Sequence, residues 1–268
     1  MDQLRDRGLV LLGCGKMGSA MLQGWLNGGL PASSVWVREP HPSDWLITLG
    51  VHLQGDLPQD PAVVVVAVKP QMMEQALQSV AGLGGGKTLF LSIAAGTTIA
   101  TYERILGAGT PVIRAMPNTP AAIGRGITAI IGNDHATGAH MELAETLLSA
   151  VGPVVRLHAE SQMDAVTAVS GSGPAYVFHL VEALAEAGRA KGLPADLAMQ
   201  LARATVSGAG ALLDASSESA EQLRRNVTSP GGTTEAALKV LMDPDTGLTQ
   251  LMKRAVHAAA ERGRELGK

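Results

Sequence analysis

"GLVLLGCGKMG", residues 8 to 18, decides how the amino-terminal part of this chain folds. Leu9 to Leu12 form a short unbroken apolar run, which suits a strand buried on both faces. Gly13, Gly15 and Gly18 follow in the order G-x-G-x-x-G. From Lys16 the spacing turns helical, with Met17, Met21, Leu22 and Trp25 on one face. Three glycines alone are a weak pattern, but between a strand and a helix they acquire a mechanism. Gly13 permits a tight turn, Gly15 lets backbone approach a pyrophosphate, and Gly18 lets helix and strand pack closely. The new helix offers unpaired N–H groups and its positive dipole end to phosphate oxygens. Gly13, Cys14, Gly15, Lys16, Met17 and Gly18 together are therefore a candidate dinucleotide cradle. The bland alternative is an ordinary glycine turn.

Outward from this turn, strands and helices alternate. "SVWVRE" (34–39), "AVVVVAVKP" (62–70), "KTLFLSIAAG" (87–96), "TPVIRAMPNTP" (110–120) and "GITAIIGN" (126–133) read as further strands, with helical stretches such as 71–80 and 98–106 between them. That order predicts an α/β domain with a doubly wound, mostly parallel sheet and helices on both faces. After "GPVVRLHAE" (152–160) the strand pattern stops. Val177, Leu180, Val181 and Leu184 repeat at helical spacing, and helical patterns continue at 195–214, 218–226, 233–242 and 246–266. A boundary near 160 is expected, with an α/β domain over 1–160 and an all-helical domain over 161–268. Many apolar positions of the second domain are Ala or Gly, which let helices approach closely but bury little area each. This domain is expected to complete its core against a second copy of itself.

Composition narrows the class. The chain has 268 residues, 46% hydrophobic but only 3% aromatic, so its core must be built from Ala, Val, Leu, Ile and Met. A net charge of −3 and the lack of a basic stripe argue against a nucleic-acid partner. One cysteine allows no internal disulfide and suits a reducing compartment. The longest strongly apolar run, 62–68, is too short to span a bilayer, and the first residues lack the pattern of a signal peptide. A cytoplasmic protein with no membrane partner is expected. The scattered histidines lack metal-ligand spacing, so no metal site is expected. Cys14, inside a glycine turn and without an identifiable base, reads as structural.

The cofactor is addressed by the end of the second strand. An NAD-type site carries an acid about 20 residues beyond the glycine pattern. Here that position is Arg38, followed by Glu39. Arg38 suits a 2′-phosphate and favours NADP(H), while Glu39 leaves NAD(H) open. Ligands of doubly wound sheets lie beyond the carboxyl ends of strands. "AVKPQ" contributes Ala67, Val68, Lys69 and Pro70 there, "SIAAG" contributes Ala95, and "MPNTPA" (116–121) is a rigid loop at the same edge. The first domain shows no substrate pocket of its own. In the second, "SGSGPAY" (170–176) reads either as a kink at Pro174 or as a small-residue window for a flat ring. "TSPGGTTEAAL" (228–238) sets a proline, two glycines and several hydroxyls between helical patterns. A helix starting at Thr233-Thr234-Glu235 would present free N–H groups suited to a carboxylate. A well-capped helix–loop–helix is the alternative.

Taken in order, "GCGKMG", "AVKPQ", "SIAAG", "RAMPNTPA", "AVSGSGPAY" and "NVTSPGGTTEAAL" resemble the pyrroline-5-carboxylate reductases across essentially the whole chain. The last stretch is the most specific; the glycine pattern is shared by many dehydrogenases. The resemblance implies a Rossmann domain followed by an all-α dimerisation domain, and a homodimer interlocked through its helices, often within larger rings such as decamers. It implies the final step of proline biosynthesis, in which nicotinamide hydride reaches the imine carbon of 1-pyrroline-5-carboxylate. Ser229, Gly231, Gly232, Thr233 and Thr234 would then grip the substrate carboxylate, chiefly through the N–H groups of Gly232 and Thr233. The Thr234 hydroxyl would bond the ring nitrogen. Glu160 and Asn226 would also meet substrate, and Val68, Lys69 and Ala95 would touch cofactor. The family often carries Asp-Asn after the third strand, where this chain has Asp56-Leu57. A protonated imine is already electrophilic, so holding two rings in place away from water suffices without metal or covalent nucleophile. Two rivals stand beside this reading. A β-hydroxyacid dehydrogenase would need a lysine where Ser170, Gly171, Ser172 and Gly173 lie. A non-catalytic NADP-binding protein would have no need of "SPGGTT".

Overall fold

In the computed structural model, which describes residues 2–266, the chain opens with α1 (Asp2–Arg7) and then alternates strand and helix. β1 (Leu9–Leu12), α2 (Lys16–Asn27), β2 (Val35–Arg38), α3 (Asp44–Thr48), β3 (His52–Leu53) and β4 (Val63–Val66) come first. α4 (Met73–Gln78), β5 (Leu89–Ser92), α5 (Ile99–Leu106), β6 (Val112–Met116) and β7 (Thr128–Gly132) follow. α6 (Gly138–Leu148), β8 (Val154–Arg156) and α7 (Met163–Val166) complete this part. The strands form one sheet in the order β3-β2-β1-β4-β5-β6-β7-β8. Every neighbouring pair is parallel except β6 and β7. The link between those two holds only a 3-10 turn over Thr119–Ile123 and no crossover helix, so the chain reverses direction.

Strand residues alternate between two cores. Leu9, Leu11, Val35, Val37, Val63, Val65, Leu89, Leu91 and Ile113 face one side, where Met21, Leu22 and Trp25 of α2 and Leu147 and Leu148 of α6 cover them. Val10, Leu12, Val64, Val66, Phe90 and Val112 face the other, covered by Met73 and Leu77 of α4 and Tyr102 and Leu106 of α5. This double burial explains why β1, β4 and β5 read as unbroken apolar runs. β2 and β4 neighbour β1 on either side, so chain direction across the sheet switches at β1 and β4. In doubly wound sheets such a switch point leaves a crevice beyond the strand ends, here above the glycine turn.

α6 is capped unusually. Thr137 Oγ1 accepts the His140 N–H, and His140 Nδ1 accepts the Thr137 N–H. A histidine fills the place usually taken by Glu or Gln. Burial holds its imidazole below the usual range, which suits an acceptor nitrogen.

The first compact unit runs to Gly171 and takes back the chain from Ala260; the second spans Ser172–Ala259. Packing thus carries the first compact unit past the expected boundary near 160, to 171. Met163 and Ala168 are buried, and a side chain at Gly171 would sit 3.7 Å from Met116 Sδ, so the chain still packs on the α/β unit beyond Glu160. Gly263 lies close to Asp164, which lets the end of the last helix pack there.

The second unit contains α8 (Gly173–Ala190), α9 (Ala195–Ala215), α10 (Ala220–Asn226), α11 (Thr233–Leu241) and the start of α12 (Leu248–Leu266). A π-helical stretch over Thr167–Gly171 precedes α8. Pro174 lies in the first turn of α8, where a missing N–H costs nothing, so of the two readings of 170–176 the kink at Pro174 is replaced by a widened turn before it. Within α8 and α9 only Ala185, Ala198 and Ala202 are buried. Val177, Leu180 and Leu184 remain 45%, 42% and 42% exposed, so the apolar stripe of α8 is left largely uncovered by the described residues.

Trp25 joins two elements of the first core. It is 1% exposed, and its indole Nε1–H donates to the Leu147 carbonyl at 2.8 Å. Trp25→Phe leaves that buried carbonyl without its donor and is expected to lower stability by about 1–3 kcal/mol. Urea unfolding of both proteins measures the difference.

Candidate active site

The glycine turn is held by close contacts that only glycine tolerates. Gly13 has φ +87°, and a β-carbon there would lie 2.8 Å from the Ala67 carbonyl oxygen. At Gly18 it would lie 2.6 Å from the Gly13 carbonyl oxygen. At Gly15 it would meet nothing within 4 Å. Protein packing therefore explains the first and third glycines. The second faces open space, where a ligand needs room. Gly15 caps α2 without a side-chain hydrogen bond, and the first helical bond joins Ser19 N–H to Gly15 at 2.8 Å. The earlier N–H groups of Lys16, Met17 and Gly18 lack helical partners, as an anion site requires. These observations fit the dinucleotide cradle better than an ordinary turn.

Next to the turn, a cleft of about 420 Å³ is lined by Leu12, Arg38, Glu39, Gln54, Val68 and Met72, among others. Arg38 and Glu39 stand together there, but they are held differently. Glu39 Oε2 accepts the Cys14 N–H at 2.8 Å and its Oε1 accepts the His41 N–H at 3.1 Å. The Arg38 side chain makes no bond of this kind among the described residues. Glu39 is thus tied to the turn, while the Arg38 cation is available to a ligand. Burial, and then the Glu39 charge, push the Cys14 thiol up to about 11, so it is not a nucleophile at neutral pH. Lys69 and Pro70 are exposed just after β4, and Ala95 is exposed just after β5. Leu57, where the family often has Asn, packs partly buried against the second core.

Beyond the ends of β5 and β6 lies a polar cleft of about 330 Å³ lined by Gly96, Thr98, Arg114, Glu160, Asp164 and Arg264, among others. The expectation that the α/β part has no pocket of its own is therefore corrected. Glu160 Oε1 accepts the Ile99 N–H at 2.8 Å and also a hydrogen bond from Arg114 Nη1. Arg114 is 6% exposed. Sequence reasoning singled out Glu160 and passed over Arg114. The signal was present in "VIRAM", since a cation inside an otherwise apolar strand requires a partner.

The second unit holds the remaining candidates. Gly231 has φ +70°, and Gly232 caps α11 without a side-chain bond. The first bond of α11 joins Ala236 N–H to Gly232, leaving the N–H groups of Thr233 and Thr234 without helical partners. Gly232 differs from expectation: its own N–H closes a turn onto the Ser229 carbonyl at 3.0 Å. The N–H groups left without a partner at this helix start therefore begin at Thr233. Gly231 N–H is taken by Glu235 Oε2 at 2.5 Å. Asn226 donates to Glu218 Oε2 at 3.0 Å and accepts from Gln222 at 2.8 Å, so its side chain is held back against α10 and the turn before it. Thr234 is half-buried beside it in sequence.

Comparison with known proteins adds an independent line. Residues 160–266 match the family model described as pyrroline-5-carboxylate reductase dimerisation, and residues 9–96 match the one described as NADP oxidoreductase, coenzyme F420-dependent. The chain is 39% identical to the pyrroline-5-carboxylate reductase of Pseudomonas aeruginosa, over 96% of each chain. It superposes on a pyrroline-5-carboxylate reductase structure from Coxiella burnetii with a TM-score of 0.91 and 35% identity, covering 98% of this chain and 99% of that one. A Plasmodium falciparum pyrroline carboxylate reductase with NADP bound gives a TM-score of 0.83 at 27% identity, covering 98% and 99%.

The two roles of glycine can be separated. Gly15→Ala adds a methyl group that touches no protein atom, and should leave the thermal midpoint unchanged while weakening dinucleotide binding by about tenfold or more. Gly18→Ala should instead destabilise the fold itself by about 1–3 kcal/mol through overpacking. Thermal melts and fluorescence titration with NADPH distinguish them; equal nucleotide affinity in Gly15→Ala and the parent would remove the cradle.

Proposed function

The chain belongs to the pyrroline-5-carboxylate reductase family, and we infer on that premise that it reduces 1-pyrroline-5-carboxylate to L-proline with NAD(P)H, the final step of proline biosynthesis. Likeness over 96% of both chains extends through both the glycine turn and the loop before α11. The observation that carries the assignment of roles is the uncapped start of α11, where Thr233 and Thr234 offer N–H groups to a small carboxylate.

When bound, the cofactor supplies the hydride. The chain's own residues bind, orient and shield. Gly15, Lys16, Met17 and Gly18 would hold the pyrophosphate through backbone N–H groups, while Gly13 and Cys14, whose N–H groups go to the Arg38 carbonyl and to Glu39, would shape the turn beneath it. Arg38 would meet a 2′-phosphate, which favours NADP(H), with NAD(H) also accepted. Ala67, Val68, Lys69, Pro70 and Ala95 would line the cofactor's path along the strand ends. Thr233 and the first turn of α11 would grip the substrate carboxylate. The Thr234 hydroxyl would hydrogen-bond the ring nitrogen as it passes from imine to amine. Ser229, Gly231 and Gly232 would shape that loop, and Asn226 and Glu160 would also meet substrate.

The helical part belongs to a dimerisation family, so the protein is an oligomer. A homodimer formed through α8 and α9 would cover the exposed stripe of Val177, Leu180 and Leu184, and rings of such dimers, up to a decamer, extend the same reading. Among the described residues no helix is long and apolar enough to cross a membrane, and the cytoplasm is the compartment this reading assigns.

NADPH oxidation on addition of 1-pyrroline-5-carboxylate, run beside 2- and 3-hydroxyacids with NADP, tests the reaction; turnover of the hydroxyacids alone would overturn it. In Thr234→Ala, kcat/KM for the imine should fall by about tenfold while NADPH affinity holds, as expected for one hydrogen bond to a charged or polarised group. Sedimentation should give a dimer or larger for the parent and a smaller species for the Leu180→Asp, Leu184→Asp double variant.

A further inference from the structure

Arg114 is a buried cation for which the roles assigned above leave no function. It lies in β6, a strand buried along its whole length, and 6% of it is exposed. Burying a guanidinium is costly unless it is paired and hydrogen-bonded. Its partner is Glu160, some 46 positions away in the chain, whose side chain is 33% exposed. The same carboxylate oxygen, Oε1, accepts the Ile99 N–H at the start of α5. Two donors from two different elements converge on one oxygen, and neither bond involves Oε2. A carboxylate on a chain turn, free to adopt several rotamers, is thereby fixed at the wall of the polar cleft.

The cleft lies at a particular end of the sheet. The pyrophosphate cradle is at β1, and the cleft containing Arg38 lies beside β2. A dinucleotide whose 2′-phosphate end lies toward β2 must extend its other ring the opposite way, across the ends of β4, β5 and β6. The polar cleft is there. Hydride transfer to a protonated imine moves a positive charge from the substrate to the nicotinamide: one C–H bond breaks on the cofactor, one forms on the imine carbon, and the C=N π pair becomes the amine lone pair. The cleft balances Glu160 and Asp164 against Arg114 and Arg264, so what it offers a moving charge is an oriented acceptor, the Glu160 Oε2 that neither bond uses.

We propose that Arg114 is a positioning residue for imine reduction, acting through Glu160, whose carboxylate it fixes at the reactive end of the cleft. Arg114 touches neither substrate nor cofactor. Its geometry matters because a charge that wanders among rotamers must reorganise during the reaction, and a fixed one does not.

The proposal rests on the imine-reduction reading, and the test separates the two. Parent, Arg114→Met, Arg114→Lys, Glu160→Gln and the Arg114→Met, Glu160→Gln double variant are assayed with 1-pyrroline-5-carboxylate and NADPH. NADPH affinity by fluorescence and the thermal midpoint are measured alongside. Arg114→Met should lower kcat by about tenfold or more, with NADPH affinity within about twofold of the parent. Arg114→Lys, which keeps the charge, should recover part of that loss. The double variant should be no slower than Glu160→Gln alone, because Arg114 acts only through that carboxylate. Losses that multiply in the double variant, or a kcat of Arg114→Met within about twofold of the parent, overturn the proposal. Should Arg114→Met fail to fold, Arg114→Lys and Glu160→Gln carry the test: unchanged kcat in both overturns it equally. A parent protein inactive on the imine would sink the reaction assignment instead.

Discussion

The fold turns on how closely two pieces of backbone approach at the glycine turn. Gly13 sits against the Ala67 carbonyl after β4, and Gly18 sits against Gly13. These contacts bring the start of α2 down onto the end of β1, so the open end of the helix stands above the point where the sheet changes direction. Everything assigned to cofactor binding follows from that placement. A pyrophosphate bound there would need no charged side chain, because the helix dipole and unpaired N–H groups would supply the attraction. The surrounding clefts are then distributed along the strand ends, with Arg38 to one side and Glu160 to the other.

Much of the first unit was legible because strand and helix leave different periods. Unbroken apolar runs marked β1, β4 and β5, and each is buried on both faces. Short elements were less legible. β3 has only two residues and α3 only five, too few to establish a period. α6 carries His140 where a capping box usually has Glu or Gln, so the cap at its start has no ordinary sequence mark. The domain boundary was set where the strand pattern ended at 160, yet buried side chains carry the chain on to 171. Periodicity records where one kind of element stops; it does not record what the next element packs against.

The candidate site divided along similar lines. The glycine turn and the loop before α11 are local, so their residues could be read together. Gly231 has the left-handed angle that a glycine there suggests. Pairings between distant residues were hidden. Nothing in the spacing announces that Arg114 meets Glu160, or that Glu39 closes onto Cys14. The Gly232 N–H was expected to face a carboxylate, but it is used within its own turn. In such loops the sequence shows which donors exist, and only the backbone path decides which are spent internally.

The neutrality of Cys14 has an implication for the cell. Its thiol, raised to about 11 by burial and by Glu39, leaves roughly one sulfur in ten thousand ionised at pH 7. Peroxides and electrophiles react with thiolates, so this sulfur offers them almost nothing to attack. A sulfenic acid or a glutathione adduct at that position would fill the space beside the cofactor cradle. Burial, and after it the carboxylate that braces the turn, thus keeps the thiol in its unreactive neutral form.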